Sequence, residues 1–316
     1  MSKAIVLLNM GGPSNLDEVP VFLTNMFADP NILTVHPILR KIIGTMIVLT
    51  RTKSAQSHYK LIGGKSPLLE TTKKLAQKLE AKTDAKVYIA MRYTPPFAAT
   101  AIEQMKSDGI TEVFLLPLYP QYSTTTTKSS IEDFIANAIK AELFAKPTHI
   151  DRFYENPAYN ELVIAKLLEA IDGKNIAEYD LVFSAHSLPE KIIKAGDSYE
   201  CEINAHVEIL KNMLASKGIN FARTHLAYQS KLGPMRWLSP SLGDTLENLG
   251  NTKALICPIA FTIDNLETVY ELEIEYREVA ENCGFEDYIV AKCPNDDDRF
   301  VDILAEIYLQ NTKEAQ

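Results

Sequence analysis

Short runs of apolar, often β-branched residues recur along this chain, each followed by a longer stretch with helical spacing. That alternation limits the possible folds more than any other feature of the sequence. The runs fall at residues 4–9, 86–91 and 112–118 in the first half, and at 180–184, 224–228, 253–259 and 288–292 in the second. They are apolar at nearly every position, as strands are when both faces of their sheet are covered. Alternation of such strands with helices predicts βαβ units and a doubly wound α/β fold.

The intervening helices have readable ends. Ser66-Pro67 and Asn156-Pro157 each place a capping residue before a proline at a first helical position. Gly109, Gly173 and Gly218 stand where helices should stop. The segments at 112–127 and 253–267 share one order: a strand, a proline, an aromatic, then a polar cluster opening a helix. The reading is two similar Rossmann-like domains, each a parallel sheet flanked by helices, with the boundary near 150–160. The expected limits are 1–152 and 153–316, the C-terminal helix packing back on the first domain.

Bulk properties exclude some functions. With 316 residues, 46% of them hydrophobic, the chain can bury a sizeable core. Its net charge of -9 argues against nucleic acid, whose phosphates call for an excess of Lys and Arg. Cys201, Cys257, Cys283 and Cys293 form no CxxC pair, so no zinc knuckle or cluster-binding run is visible. Few scattered cysteines and an N-terminus that reads as a strand, not a signal peptide, predict a cytoplasmic protein. Residues 32–50 are apolar, but Pro37, Arg40 and Lys41 interrupt them, and the clean stretch at 42–49 is far short of the roughly 20 residues that span a bilayer. Mixed apolar and basic residues there predict either an amphipathic lip that touches the inner membrane or a core helix.

In doubly wound folds, ligands sit beyond the carboxyl ends of the strands. His186, in Ser184-Ala185-His186-Ser187-Leu188-Pro189, is at such an end and could ligate a metal or accept a proton near neutral pH. Asp264, Asn265 and Glu267 follow the strand at 253–259 and lead into a helix. Glu267, Glu271 and Glu275 lie four residues apart on one face of that helix. Like charges at that spacing are mildly unfavourable. The row is either a solvated acidic face or a ladder that passes a cation.

These segments resemble the ferrochelatase family. The resemblance rests on Leu181 through Pro189 followed by Gly196-Asp197, and on Phe261-Thr262-Ile263-Asp264-Asn265-Leu266-Glu267. It extends to Met10-Gly11-Gly12-Pro13, Gly63-Gly64-Lys65-Ser66-Pro67, Arg92-Tyr93, Tyr119-Pro120-Gln121-Tyr122-Ser123 and the stretch from Gln229 to Trp237. It runs in order from about residue 3 to 310. The resemblance implies a class II chelatase-like enzyme with a porphyrin cleft between its domains. It implies iron and proton chemistry at His186 and Glu267, with Glu271 and Glu275 as further metal-handling carboxylates. Met10, Tyr122, Trp237 and Phe261 would form the wall around the macrocycle, and Arg92, Tyr93, Asp264 and Asn265 would be further substrate contacts.

The implied reaction inserts ferrous iron into protoporphyrin IX. Iron and porphyrin are then substrates, no cofactor is permanently bound, and no iron–sulfur cluster is expected. Imidazole with carboxylate suits a divalent ion, and insertion requires acceptors for two pyrrole protons. Two departures from the family stand out. Asn265 replaces a common histidine, and an amide is no base. Many relatives carry arginine near Lys60 and Leu61, and Leu61 cannot bind a propionate, so the propionate contacts on that side stay open. Alternatives are a sister chelatase acting on coproporphyrin III or on cobalt or nickel, and a non-enzymatic metal or haem carrier. A Rossmann dehydrogenase is excluded because the glycines after the first strand form no GxGxxG.

Overall fold

Eight short strands build two separate parallel sheets in the computed structural model, which describes residues 2–313 apart from 144, 146, 232 and 234. The first sheet holds β1 (Lys3–Asn9), β2 (Lys86–Met91), β3 (Glu112–Pro117) and β4 (Thr148–His149), in the order β2-β1-β3-β4. The second holds β5 (Asp180–His186), β6 (Arg223–Gln229), β7 (Lys253–Cys257) and β8 (Asp287–Val290), in the order β6-β5-β7-β8. Every pairing is parallel and the two orders are the same. The shared segment pattern of the two halves therefore corresponds to a shared topology.

The chain divides into two compact units, residues 1–152 with 295–316, and residues 153–294. The sequence reading ran the second domain to residue 316; the second unit stops at Pro294, and the last helix (Asp298–Lys313) belongs to the first. The attachment is visible in side chains. The Tyr308 ring meets that of Phe114 edge-on at 5.7 Å, and Lys78 pairs with Asp296 at 3.2 Å and Asp298 at 3.0 Å.

Each sheet is buried on both faces, as its apolar runs require. In the first unit Val6, Leu8, Val113 and Leu115 pack against Ile102, Met105 and Phe134, while Ile5, Leu7 and Phe114 are buried as well. In the second, Val182, Ala254 and Ile256 pack against Leu242, Leu246 and Leu272. Full burial of such a side chain stabilises by roughly 1.5–3 kcal/mol. The two-residue β4, whose residues are exposed, carried no apolar run and was invisible in the sequence.

Helix limits followed the caps in part. Asn156 accepts a bond from the Tyr159 N–H and starts the helix Pro157–Ala170. Ser66 lies one residue further out than expected, because Pro67 is itself the cap of the helix Leu68–Lys82. Thr124–Thr127, part of the polar cluster that opens a helix, begins a π-helical segment, Thr124–Lys128, that is capped by Ser123. Gly11, just after β1, has a φ of +85°, and a Cβ there would stand 2.3 Å from Thr94 Oγ1. Only glycine fits that turn.

The apolar segment of the first half is part of one long helix, Pro37–Leu61. Ile38, Leu39, Ile42, Met46 and Leu49 on it are exposed, Ile38 at 69% and Leu49 at 76%. These side chains are not core. Among the described residues no helix is long and apolar enough to cross a membrane.

Candidate active site

The strand order of the second unit reverses direction between β5 and β7, and a crevice at the carboxyl ends of two such strands is where doubly wound sheets bind ligands. His186 is the last residue of β5. Phe261 follows β7, and its ring stands edge-on to the His186 imidazole, centroids 6.5 Å apart. The Tyr199 hydroxyl donates to the His186 carbonyl at 2.9 Å and fixes the strand end. Burial pulls the His186 pKa down to about 4. The ring is therefore neutral at pH 7, which leaves a nitrogen lone pair available to a metal and makes it a weak proton acceptor.

The acidic row lies on a helix with unusual winding. Glu267–Glu275 is π-helical and runs on into the α-helix Tyr276–Asn282. The sequence reading placed Glu267, Glu271 and Glu275 on one α-helical face, where each step of four residues drifts by about 40°. A π-helix closes i→i+5 bonds and is wound more loosely, so a four-residue step falls short of a full turn instead of overshooting it, and the row slants the other way. The row also passes from protein to solvent, since Glu267 and Glu271 are half-buried and Glu275 is exposed. Burial raises the pKa of Glu267. Burial, and next the charge of Glu267, push Glu271 up to about 8.

Asn265 is 4% exposed, and its side-chain oxygen accepts from the Thr268 N–H at 3.1 Å. It caps the helix that carries the row. Asp264 accepts from the Thr268 hydroxyl at 3.0 Å. Trp237 is half-buried and bridges to Pro189, just beyond β5. Leu232 and Pro234, which belong to the same motif, lie outside the described residues.

In the first unit the predicted residues gather at the carboxyl ends of β1, β2 and β3. Met10 is half-buried, and its carbonyl accepts from the Tyr93 N–H at 2.9 Å. Tyr122 is half-buried with the Arg152 guanidinium 5.4 Å above its ring. Tyr93, however, is 2% exposed, and its hydroxyl donates to Asp29 at 2.9 Å. Arg92 pairs with the same Asp29 carboxylate at 3.1 Å and with Asp133 at 3.4 Å. Both side chains are tied into the unit, which leaves the exposed part of Arg92 as the group open to a ligand.

Sequence reasoning missed Asp29, Ser184, Gln229 and Ser230. Gln229 and Ser230 lay within a motif that had been noted, directly after a strand, and that position was their signal. Among the described residues no three His, Cys, Asp or Glu side chains are grouped so as to hold a metal ion. His186 and the carboxylates are separate donors along one edge.

Two parallel α/β units, one carrying an imidazole and a carboxylate row at its strand ends, make this a protein of the class II chelatase fold. Solved structures agree on the fold: SirB from Bacillus subtilis with Fe3+ has a TM-score of 0.57 at 12% identity, covering 97% of this chain and 95% of that one. CbiX, the terminal enzyme for siroheme biosynthesis in denitrifying bacteria, has a TM-score of 0.51 at 14% identity, covering 97% of each. The chain belongs to the ferrochelatase family, whose model matches residues 2–312. The ferrochelatase of Sulfurimonas denitrificans is 51% identical over 309 residues, 97% of this chain and 98% of that protein. That of a Nitratiruptor species is 53% identical over 308 residues, 97% and 99%. The activity is accordingly that of a lyase inserting iron into a porphyrin in haem biosynthesis.

Proposed function

We propose that the physiological reaction is insertion of ferrous iron into protoporphyrin IX, with His186 and Glu267 at the reacting metal. The observation that carries this is the neutral His186 at the end of β5, with the π-helical row leading from Glu267 to exposed Glu275. Glu275 and Glu271 attract the cation and pass it inward. Neutral imidazole and Glu267 then ligate it or take pyrrole protons. An ion in transit needs fewer fixed ligands than a resident one, because the macrocycle supplies four nitrogens.

Met10, Tyr122, Trp237 and Phe261 are proposed as the apolar wall, Arg92, Tyr93 and Asp264 as further contacts, and Asn265 through its cap of the acidic helix. Apolar contact of this kind can hold the ring bent toward the transition state, a strain of ~1–5 kcal/mol drawn from binding elsewhere. No resident cofactor and no iron–sulfur cluster enter this scheme.

The test is anaerobic insertion by purified protein, with protoporphyrin IX and coproporphyrin III side by side and ferrous iron, cobalt or nickel as the metal. A higher kcat/KM for protoporphyrin IX with ferrous iron is the expected result. Preference for coproporphyrin III, cobalt or nickel would replace this reading with the sister-chelatase one.

We also place the enzyme in the cytoplasm with peripheral contact to the inner membrane through residues 32–50. Ile38, Leu39, Ile42 and Met46 are exposed on one helix that also carries Lys41. Replacing Ile38 and Ile42 with serine should reduce sedimentation with liposomes and leave thermal stability unchanged. Unchanged sedimentation would remove the membrane contact.

A further inference from the structure

We propose that Gln229, oriented by Ser184, is a positioning residue that holds the Glu271 carboxylate and the backbone of Glu267 in register for iron. This rests on the reading of the acidic row given above. Gln229 is the last residue of β6, and its Cα pairs with that of His186 across the sheet. It is 0% exposed.

All of its hydrogen-bonding groups are engaged. The Ser184 hydroxyl donates to Oε1 at 2.7 Å. Nε2 donates to the Glu267 carbonyl at 3.2 Å and to Glu271 Oε2 at 3.1 Å. The orientation of the amide follows from chemistry. A backbone carbonyl can only accept, so the NH2 must face Glu267 and Glu271, and Oε1 is left for Ser184.

The neighbouring residue acts on the same oxygen. The Ser230 hydroxyl also donates to Glu271 Oε2, and Ser230 has a φ of 66°. That left-handed conformation is uncommon for a residue other than glycine and persists where the surroundings hold it. Two donors on Oε2 fix one oxygen of Glu271 and leave Oε1 for a cation. The bond to the Glu267 carbonyl adds a side-chain donor to the helix ladder at the first π-helical residue, and such an insertion is one cause of departure from α winding.

Ser184 is on β5, Gln229 on β6 and Glu271 on the helix after β7. Two strands and the helix after a third are therefore joined by one buried amide. Removing a buried hydrogen bond of this kind changes an equilibrium by about tenfold.

The experiment is steady-state insertion kinetics with ferrous iron and protoporphyrin IX on Gln229→Met, which keeps the volume and loses the donors, and on Ser184→Ala. Far-UV circular dichroism monitors folding, and Ser184→Ala, which deletes a single buried hydroxyl, decides the matter if Gln229→Met does not fold. The expected result is a KM for iron raised about tenfold in Gln229→Met and less in Ser184→Ala, with the KM for porphyrin within twofold of native. In a Glu271→Ala background the Gln229→Met effect on iron KM should fall below twofold. A change of similar size in both KM values, or an iron effect that persists without Glu271, would overturn the proposal. A silent Gln229→Met beside an impaired Glu271→Ala would overturn the positioning role alone. An unimpaired Glu271→Ala would overturn the reading of the acidic row, and the proposal with it.

Discussion

Asn265 and Thr268 are hydrogen-bonded to each other in both directions. The Thr268 N–H donates to the Asn265 side-chain oxygen at 3.1 Å, and the Asn265 N–H donates to the Thr268 hydroxyl at 3.0 Å. This is the reciprocal arrangement of a capping box, with threonine in place of the usual glutamate or glutamine. It explains the residue that stands where many ferrochelatases have histidine. Asn265 fixes the start of the helix that carries Glu267, and needs no proton to do so.

Asn265→Ala should therefore lower stability by about 1 kcal/mol and reduce insertion through displacement of Glu267. Asn265→Asp, which also caps, should keep most of both, and Asn265→His should behave more like alanine. Thermal denaturation and turnover on the three variants check this. Equal stability of the alanine and aspartate variants would show that the cap contributes nothing.

His186→Ala should abolish insertion with folding and porphyrin binding nearly intact. The side chain makes a ring contact with Phe261, and the hydrogen bond from Tyr199 goes to the backbone carbonyl, which alanine retains. Glu267→Gln should also reduce turnover sharply, by about 10²-fold if general-base assistance is lost. Porphyrin fluorescence quenching separates binding from turnover. Normal turnover in folded His186→Ala would remove it from the mechanism.

The pH dependence should follow Glu271, not His186. Glu271 ionises at about 8 and His186 at about 4. As pH rises through about 8 the carboxylate gains its charge, so the KM for iron should fall there. Glu271→Gln should flatten that limb, and a limb that survives it belongs to another group. The effect on stability has the opposite sign. A carboxylate whose folded pKa is raised contributes stability that is present below its unfolded value and lost as pH rises through its folded value. Denaturant titrations from pH 5 to 9 should show native protein losing more stability than Glu271→Gln.

Asp29 should be the most sensitive site in the first unit. It is 2% exposed and accepts from the Tyr93 hydroxyl, Arg92 and the Ser129 hydroxyl. Asp29→Ala removes the shared acceptor and leaves Arg92, whose side chain is 19% exposed, with only Asp133 as a charge partner. Breaking a buried pair from one side costs roughly 3–5 kcal/mol. Urea unfolding measures it, and a loss below 1 kcal/mol would show that Asp133 suffices.

The strands were legible because burial on both faces leaves a continuous apolar run at residues such as Val6, Leu115, Val182 and Ile256. Their carboxyl ends then located His186 and Glu267 without any contact being known. The C-terminal helix shows the limit of this reading. The sequence reading has that helix pack back on the first domain, yet the residues that meet, Phe114 and Tyr308, are 194 positions apart in the chain, the difference of those two numbers, and only packing selects them.

Sequence by itself determined the two parallel sheets, the strand ends that bear chemistry, and the ferrochelatase resemblance. Each is written in local apolar patterning or in short motifs. Tertiary structure alone decided the winding of Glu267–Glu275, the burial of Tyr93 against Asp29, and the bonds from Ser184 to Gln229 and from Gln229 to Glu271. The bonded residues in the last two pairs are 45 and 42 positions apart. Their meeting depends on the register of β5 against β6 and on where the helix after β7 begins. Local propensity does not encode either quantity: π winding is rare on its own, and donors from other elements are one cause of it.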